Sequence, residues 1–505
     1  MRNTNLTTNL KNGLLQAVLF FIFAVSAVAL PGTGPTNLQT STGVTFTQSG
    51  STLAFNAPDR AILNWNNFGS GADQIAVADT IRYNLPGAAA SVLNIVSGGA
   101  QTTINGTIES NGKVYVLNPN GIVIGGTARI DTNAFVASAV DNPFAAQFKY
   151  MTDGVIPSEV GGQRTASGNV VAQNGAIFAT PNVVILGKDI TIGGVLTAGN
   201  MALNGDGAVT VGAPAFTTWV SGDLTVTNPT GTTTIGVPSA NVGTNNSISV
   251  ISTSGDITNA IGSRVVGKNL IANTVSGNVT LAAVATSAVT ANGKNVTVAF
   301  DAGSLTPSFS GSAVTGLTVT APAYLLLADV KGDAANNSFT AGGTLTLGKV
   351  HLGGGASFTG SRVVDSVDGV FVYDRASFTA TAGDVAVTKA GHSFGPLSIS
   401  ATGNGTVYES ATINLNAVNV KDLVLKTKEG FFQTPTTFAL TATKFSLDTL
   451  GAVTFSGGTI SNGLTINAGS GNVDLSKLSL VTNLNSVAPV ITTTGTVSNP
   501  VTPTP

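Results

Sequence analysis

The sequence predicts an all-β protein, a right-handed parallel β-helix (β-solenoid) with an amino-terminal cap and small extra-helical hairpins. Three observations predict it: short apolar runs that alternate with polar residues, glycine-containing corners between these runs, and a recurring unit of Gly followed by apolar–Thr–apolar. The composition agrees, since the chain contains 61 Gly and only 9% charged residues among its 505 residues. Glycine suits tight corners, and residues such as Val and Thr favour strands over helices.

The stretch 91–141 shows this pattern most clearly. Val114 and Val116 alternate with other residues, as do Ile122 and Ile124, which predicts strands with one buried face. The turn between the two pairs consists of Asn118, Pro119, Asn120 and Gly121. Proline presets φ and lacks an N–H donor, while Asn and Gly tolerate positive φ. The chain is therefore expected to turn a tight corner here.

An ordered set of motifs gives this region a family resemblance. The set comprises D-R-A-I-L-N-W-N-N-F (Asp59–Phe68), V-L-N-I-V-S-G-G (Val92–Gly99), I-N-G-T-I-E-S-N-G-K-V (Ile104–Val114), the Asn118–Gly121 turn and V-A-S (Val136–Ser138). Together they resemble the amino-terminal secretion domain of filamentous haemagglutinin-like exoproteins, the secreted partners of bacterial two-partner secretion (TPS) systems. The resemblance covers about the first third of the mature chain. The family's second Asn-Pro-Asn-Leu-like turn is not found, and Pro181-Asn182-Val183 is only a remnant of it.

The resemblance implies a function as well as a fold. It implies a secreted or surface-exposed, outer-membrane-associated protein of a Gram-negative bacterium, exported through a partner outer-membrane barrel transporter of the two-partner secretion type. It also implies an adhesin with a glycan or protein receptor on a host or cell surface. In this view the amino-terminal domain docks on the periplasmic domains of the transporter, and Asn118–Gly121 stabilises a corner that this domain needs.

The amino terminus has the pattern of a signal peptide. Arg2 and Lys11 supply a basic region, residues 14–25 supply an apolar run, and the A-x-A site ends at Ala29, after which cleavage is predicted. The predicted division is then a signal peptide over 1–29, a haemagglutinin-like two-partner secretion domain over 30–215 and a β-helix repeat region over 216–485. A Pro/Thr tail over 486–505 is expected to be disordered.

Residues 142–167 interrupt the strand pattern. Phe144, Phe148, Tyr150 and Met151 lie there among polar residues with little glycine rhythm. We expect an excursion from the β-helix in the form of a hairpin. It is a candidate contact surface, because loops carry function more often than regular coils do, although a decorative insertion is the plainer interpretation.

The strand pattern resumes at Gly168 and becomes a repeat. Its units are S-G-D-L-T-V-T (Ser221–Thr227), S-G-D-I-T-N-A (Ser254–Ala260), S-G-N-V-T-L-A (Ser276–Ala282), G-G-T-L-T-L-G (Gly342–Gly348), A-G-D-V-A-V-T (Ala382–Thr388) and S-G-N-V-D-L-S (Ser470–Ser476). One coil cannot bury its apolar face alone, whereas stacked coils cover one another. We therefore expect one elongated solenoid from about Leu30 to about Leu480.

Composition and charge narrow the range of functions. The net charge is −2, which gives no electrostatic attraction to nucleic acid, and no nucleic-acid partner is expected. The chain contains no Cys, so disulfides and thiolate metal sites are impossible. No cofactor, metal or catalytic residue is predicted. Trp65 and Phe68 are expected in the core or the cap.

Two glycine-rich stretches come close to the phosphate-binding loop G-x-x-x-x-G-K-[ST]. They are 262–269, where Asn269 replaces the hydroxyl residue, and 343–350. No helical pattern follows the first, so we interpret both as accidental. The two histidines, His351 and His392, are far apart in the sequence and are expected at the surface or in turns.

The densest charge lies in residues 361–375, which include Arg362, Asp365, Asp368, Asp374 and Arg375. These side chains could follow one face of the helix, as the carboxylates of carbohydrate-cleaving β-helices do. A solvated edge with weak local ion pairs is the favoured interpretation. Two alternatives to adhesion stay open: a structural sheath or matrix protein, and a polysaccharide-acting enzyme that would use the three aspartates.

Overall fold

The computed structural model describes residues 23–24, 38–70, 74–160, 168–304, 306–432, 439–455, 457, 459–480 and 490–499. The chain divides into two compact units, Met1–Ser249 and Val250–Pro505. Each unit is a parallel β-solenoid, as the sequence predicted. In the part of the chain that is described, no helix is long and apolar enough to cross a membrane.

The amino-terminal unit has three parallel sheets, and each complete coil contributes one strand to each sheet. The first sheet contains Thr52–Asn56, Thr80–Asn84, Thr107–Ser110, Arg129–Asp131, Ile177–Phe178, Leu196–Thr197, Thr217–Val220 and Asn241–Thr244. The second contains Ala61–Trp65, Ser91–Val96, Lys113–Leu117, Ala134–Ser138, Asn182–Gly187, Asn200–Gly205 and Leu224–Thr227. The third contains Thr102–Ile104, Ile122–Ile124, Val170–Ala172, Ile190–Ile192, Val209–Val211 and Thr233–Ile235.

Equivalent positions in successive coils stack in register inside this unit. In the first sheet Ile81 pairs with Ile108, Ile108 with Ile130, and Ile130 with Phe178. All four side chains are fully buried. Since side chains alternate between the two faces of a strand, every second residue enters the interior and packs on its counterpart in the next coil. The core is therefore a continuous column that neighbouring coils complete for one another.

Antiparallel strands cover the start of the solenoid. The strand Thr45–Ser49 forms a hairpin with Thr52–Asn56, and Gln39–Thr40 pairs antiparallel with Ala61–Trp65 and with Phe23–Ala24. These pairs protect the first coil from further strand addition. Trp65 and Phe68 are fully buried there, with ring centroids 4.9 Å apart, which confirms their prediction as core or cap residues.

The interruption at 142–167 is helical where the structure describes it, so the predicted hairpin is wrong. An α-helix, α1, spans Pro143–Asp153, and a 3-10 helix spans Pro157–Val160. Asn142 caps α1, since its side chain accepts hydrogen bonds from the backbone N–H groups of the first turn. Pro143 begins the helix, and Gly154 ends it at a φ of 77°, a conformation that glycine adopts freely.

Helix α1 lies against the outer face of the second sheet. Its Ala146 and Tyr150 are buried, and the apolar cluster beneath it contains Leu93, Tyr115 and Leu117. The sequence predicted one buried face for Lys113–Leu117. That expectation is wrong, because α1 removes the second face from water as well.

The carboxyl-terminal unit also consists of strands, which range from 2 residues to the 22 residues of Val279–Phe300. They are Ile257–Thr258, Arg264–Thr274, Val279–Phe300, Ser308–Ala321, Leu325–Gly332, Asn336–Ala341, Thr344–Leu352, Gly355–Gly360, Arg362–Asp365, Val370–Val372, Ala376–Ala380, Val385–Val387, Ser393–Phe394, Leu397–Ala401, Gly405–Glu409, Ile413–Asn419, Asp422–Thr427, Phe431–Phe432, Ala439–Asp448, Val453–Thr454, Thr459–Asp474, Ser479–Leu480 and Val490–Asn499. Within the unit, Phe339, Phe358 and Phe378 stack in successive coils at centroid distances of 5.4 and 5.1 Å.

The repeated Gly–apolar–Thr–apolar unit lies at a corner followed by a strand. Its apolar positions point inward, as Leu345 and Leu347 illustrate with full burial. Its glycines face the backbone of the coil before. A Cβ on Gly277 would lie 2.3 Å from the Gly255 carbonyl oxygen, so a side chain there would force the coils apart. The repeat therefore encodes both the close corner and the buried strand.

Candidate functional site

The predicted Asn118–Gly121 turn forms a corner between the second and third sheets. It follows Lys113–Leu117 and precedes Ile122–Ile124. The Asn118 side chain is fully buried, and its Oδ1 accepts a hydrogen bond from the Asn120 backbone N–H at 2.9 Å. The Gly121 N–H donates to the Asn118 carbonyl at 3.0 Å, and the φ of Gly121 is 111°. The local sequence thus closes the turn by itself.

The same corner connects its coil to the coil before. Asn118 Nδ2 donates to the Ala100 carbonyl and to Thr102 Oγ1, both at 2.9 Å. Asn120 Nδ2 donates to the Gly98 carbonyl at 2.7 Å. These donors reach backbone groups that a corner without Asn would leave unpaired.

The corner also contacts the coil after it. The Asn118 N–H donates to the Ser138 carbonyl, and the Ile122 N–H donates to the Asn169 carbonyl, both at 3.0 Å. A Cβ on Gly168 would lie 2.6 Å from the Pro119 carbonyl oxygen. The four predicted residues therefore lie together at a junction of three coils.

Side-chain hydrogen bonds fix helix α1 next to this junction. Tyr150 Oη donates to Ser91 Oγ at 2.8 Å. Arg60 Nη1 donates to the Thr152 carbonyl at 3.0 Å, close to the carboxyl end of α1, where a positive charge is favourable. Arg60 adopts a φ of 58° to do so, an uncommon conformation for a residue other than glycine.

Buried carboxylates hold the segment on either side of α1. Asp141 is fully buried and accepts hydrogen bonds from Ser138 Oγ at 2.6 Å, from the Ser158 N–H at 3.0 Å and from Ser158 Oγ. Burial raises the pKa of Glu159 above its ordinary value, although the carboxylate accepts a hydrogen bond from the Ile156 N–H. Burial also raises the pKa of Tyr115, which lies beside Glu159.

The opposite face of α1 is apolar and exposed. Phe144 is 73% exposed, Phe148 is 67% exposed and Met151 is 37% exposed. Residues three or four positions apart share one side of a helix, so these side chains form a stripe. We call Phe144, Phe148 and Met151 the α1 stripe. Large apolar side chains grouped in this way mark interaction surfaces more often than single exposed ones do.

Other predicted residues have different outcomes. Ala29, the predicted cleavage site, lies outside the described residues. The stretch after Gly262 continues as the strand Arg264–Thr274, without the helix that a phosphate-binding loop needs. His351 is exposed, as predicted.

His392 is buried, so the surface alternative of its prediction is wrong; it lies directly after a turn, between the strands Val385–Val387 and Ser393–Phe394. Its Nε2 lies 2.8 Å from Asp365 Oδ2, and its Nδ1 accepts a hydrogen bond from the Val370 N–H at 3.0 Å. The Thr388 and Lys389 N–H groups also donate to Asp365 Oδ2, at 2.9 and 2.6 Å. Burial raises the pKa of Asp365, but these hydrogen bonds outweigh it and hold the pKa below its ordinary value.

The three aspartates considered for polysaccharide cleavage lie in different surroundings. The Asp365 side chain is 2% exposed, Asp368 accepts a hydrogen bond from the Ala390 N–H at 2.8 Å, and Asp374 is exposed. A shared solvated face, as expected from the sequence, is not formed because Asp365 points inward. Among the described residues, no group of three His, Cys, Asp or Glu side chains is placed to hold a metal ion.

A further buried carboxylate was not recognised in the sequence. Glu409 is 4% exposed, and its Oε1 accepts a hydrogen bond from the Phe394 N–H at 2.5 Å. Its Oε2 is buried without a partner. Burial raises the pKa of Glu409 to about 8.

Comparison with known proteins decides the family. The family model described as the TPS secretion domain matches residues 27–281. The chain belongs to the TPS secretion domain family. The resemblance drawn from the motifs is thereby confirmed, and the chain is a secreted exoprotein of the kind made by Gram-negative bacteria.

The individual sequence relatives match only a short part of this chain. Two heme/hemopexin-binding proteins of Haemophilus influenzae are 32% identical to this chain, one over 83 residues and the other, from strain Rd, over 79 residues. Each match covers 16% of this chain and 8% of the relative. The crystal structure of the HMW1 secretion domain from Haemophilus influenzae shares 15% identity at a TM-score of 0.27, over 89% of this chain and 100% of that one.

Proposed function

We propose that this TPS-family exoprotein is exported through a partner outer-membrane barrel transporter and serves adhesion on the bacterial cell surface. The observation that carries the proposal is the family match over 27–281, which includes the Asn118–Gly121 corner and α1. The names of the heme/hemopexin-binding relatives describe those proteins. The matched stretch is only 8% of their length, and we do not extend that activity to this chain.

The absence of cysteine supports export in an unfolded state, because no disulfide has to open or reform on the way. Coils that stack only on their neighbours can fold one after another as they emerge. The corner at Asn118–Gly121 then gives each of three coils a fixed register early in this process. Its role is to stabilise the amino-terminal domain, and the contact with the transporter lies elsewhere.

We place that contact at the α1 stripe. Phe144 and Phe148 are exposed and lie within the region that the family model matches. The helix beneath them is held rigidly by Tyr150 and Arg60, so the two rings are presented without further ordering of the backbone. Rigid aromatic side chains contribute strongly to protein interfaces for this reason. The partner is the periplasmic domains of the transporter, which would meet α1 and the strands that hold it already folded, while the coils that follow are still unfolded.

An export assay tests the proposal. The full chain is produced with its transporter, and the mature protein is measured in the medium and on the cell surface. We expect Phe144→Ser combined with Phe148→Ser to reduce export at least several-fold, whereas Ile261→Ser, at an 89% exposed position in the other unit, leaves it unchanged. Circular dichroism of the purified variants shows whether they fold. Export of the folded double variant at the wild-type level would contradict the α1 contact, and transporter-independent export would contradict the proposed pathway.

The alternatives have separate tests. A sheath or matrix protein would assemble into filaments from the purified chain without any receptor. An enzyme would lose activity on a glycan panel after Asp368→Ala. Nothing in the described residues favours either, since the Asp365 carboxylate is closed to solvent.

A further inference from the structure

Three aromatic rings meet on the outer surface of the carboxyl-terminal unit. His351 and Phe371 pair in register between the strands Thr344–Leu352 and Val370–Val372, and Tyr373 follows the second strand. The His351 ring centroid lies 5.4 Å from that of Phe371 and 5.2 Å from that of Tyr373. The Phe371 and Tyr373 rings are 6.5 Å apart and tilted by only 20°. We call these three residues the aromatic platform.

The coils on either side leave more than half of Tyr373 exposed. Leu352 and Val372 pair with each other, and Val372 pairs with Phe394 in the next coil. The residues that follow these three positions are Gly353, Tyr373 and Gly395. The position next to Tyr373 is therefore glycine in both neighbouring coils, the His351 ring of the preceding coil contacts one side of Tyr373, and Tyr373 is 58% exposed.

Glycine at 395 is required by the backbone. A Cβ there would lie 2.0 Å from the Asp374 carbonyl oxygen and 2.8 Å from the Tyr373 carbonyl oxygen. The Gly395 N–H donates to the Val372 carbonyl at 2.8 Å, which holds the two coils at this distance. The backbone thus fixes glycine at the position next to Tyr373 in the following coil.

Charges of both signs surround the platform. Asp374 and Arg375 are exposed directly after Tyr373, and neither forms an ion pair within the part of the chain that the structure describes. Lys331, which pairs in register with His351, forms an exposed ion pair with Asp329 at 3.1 Å. The local charges balance, so the surface offers hydrogen-bond donors and acceptors without a field that would select an anion or a cation.

We propose that the aromatic platform binds a neutral glycan. The apolar C–H face of a pyranose ring would rest on Tyr373 and Phe371, because the negative face of an aromatic ring attracts polarised C–H groups. The carboxylate of Asp374 would accept hydrogen bonds from the sugar hydroxyls, and the guanidinium of Arg375 would donate to them. Three rings are too small an area for a stable protein partner, which needs about 800 Å² on each side. The inference rests on the proposed adhesive function and names its receptor class.

A binding assay with the purified full chain tests the proposal. The immobilised ligands are neutral oligosaccharides of glucose, galactose and mannose, together with acidic oligosaccharides. We expect a neutral oligosaccharide to bind to the wild type. Tyr373→Ala should raise the Kd for this oligosaccharide about tenfold, whereas Tyr373→Phe should retain most of the affinity. Tyr324→Ala, at a 54% exposed tyrosine outside the platform, is the matched control and leaves the Kd unchanged. Circular dichroism confirms that each variant folds.

Several results would overturn the proposal that the aromatic platform binds a neutral glycan. They are the absence of neutral-glycan binding, a preference for acidic glycans, and equal affinities of the Tyr373→Ala and Tyr324→Ala variants. Adhesion of whole cells separates this inference from the proposed function. Export and adhesion that persist unchanged in Tyr373→Ala cells would reject the platform and leave the function standing. Failure of export in the wild type would reject the function while the purified protein still reports on glycan binding.

Discussion

His392 Nε2 lies 2.8 Å from Asp365 Oδ2 in the interior of the carboxyl-terminal unit, where the two side chains are 0% and 2% exposed. Because the Val370 N–H donates to Nδ1, the neutral imidazole carries its proton on Nε2 and donates it to the carboxylate. With the Thr388 and Lys389 N–H groups, Asp365 Oδ2 accepts three hydrogen bonds. The pair connects two successive coils and stabilises the interior without being accessible to a ligand.

Replacing Asp365 by Asn should destabilise this unit by about 2–3 kcal/mol at neutral pH, because charge-assisted hydrogen bonds are lost. Asp368→Asn is the matched control, since Asp368 accepts a hydrogen bond from the Ala390 N–H at an exposed position, and its replacement should cost less than about 1 kcal/mol. Urea unfolding of the full chain measures both. Equal losses for the two variants would contradict the role of the buried pair.

The effect of Asp365 should depend on pH in a defined direction. Its pKa is lower in the folded chain than in the unfolded chain, so its contribution is complete above the unfolded value of about 4 and is lost as the pH falls through the folded value. The difference in stability between the wild type and Asp365→Asn should therefore be largest at pH 7 and narrow below about pH 4. If the difference in stability between the wild type and Asp365→Asn instead grows as the pH falls, the pKa of Asp365 is not lowered by folding.

The stability contribution of Glu409 should depend on pH in the opposite direction to that of Asp365. Its pKa is raised to about 8, so the folded chain holds a proton that the unfolded chain has released. The stability contribution is complete below the unfolded value of about 4 and is lost as the pH rises through 8. Glu409→Gln mimics the neutral form and should be more stable than the wild type at pH 9 by about 3–5 kcal/mol.

At pH 4 the Glu409→Gln variant and the wild type should be similar. Glu429→Gln, at an exposed glutamate nearby, provides the control and should change little at either pH. Hydrogen exchange in the strand Gly405–Glu409 reports the local effect alongside urea unfolding. A constant difference between Glu409→Gln and the wild type from pH 4 to pH 9 would show that Glu409 does not titrate in this range.

The sequence predicts the coils well because their signals are local. Alternation of apolar residues places Ile122 and Ile124 inward, and the turn residues place the corner between them and the preceding strand. Helix α1 also left local signals: Asn142 before Pro143, and Gly154 after the last turn. They were missed because the large apolar residues, such as Phe144 and Phe148, point away from the core.

The buried pairs could not be predicted in the same way. Asp365 and His392 lie 27 positions apart, and they meet only because particular coils stack in a particular register. A shift of one residue in a strand would turn its side chains to the other face. A single sequence with irregular repeat lengths does not determine this register, so neither the pair nor the buried Glu409 was recognisable before the structure.

Asn94 should be among the most sensitive polar residues in the amino-terminal unit. It is fully buried, and its Oδ1 accepts hydrogen bonds from Trp65 Nε1 at 3.0 Å and Tyr83 Oη at 2.7 Å, while its Nδ2 donates to the Tyr115 carbonyl at 3.0 Å. Asn94→Ala would leave these groups without partners and should cost about 3 kcal/mol or more. Thermal unfolding followed by near-ultraviolet circular dichroism measures the loss.

The control for Asn94 is Asn84→Ala, which removes an exposed hydrogen bond to Asn56 and should change stability by less than about 0.5 kcal/mol. A comparable loss in the two variants would mean that the interior network of Asn94 adds nothing beyond an ordinary surface contact.

Asn118→Ala tests the corner that the motif analysis singled out. The variant loses the hydrogen bonds to the Ala100 carbonyl and Thr102 Oγ1, and it loses the bond that closes the turn at Asn120. Since the buried partners stay unpaired, we expect a loss of about 2–3 kcal/mol. Hydrogen exchange should accelerate at the Thr102 N–H, which donates to the Gly121 carbonyl between the same coils, and at the Gly121 N–H, which closes the turn.

Asn120→Ala tests whether an exposed asparagine of this corner matters as much as the buried Asn118. Asn120 is exposed and makes one bond to the preceding coil, from its Nδ2 to the Gly98 carbonyl, so its replacement should cost less than about 1 kcal/mol. If export of Asn118→Ala falls while that of Asn120→Ala does not, the corner acts through the stability of the folded domain. If export falls equally in Asn118→Ala and Asn120→Ala although their stabilities differ, the transporter recognises the turn directly. That result would contradict the structural role proposed for the turn.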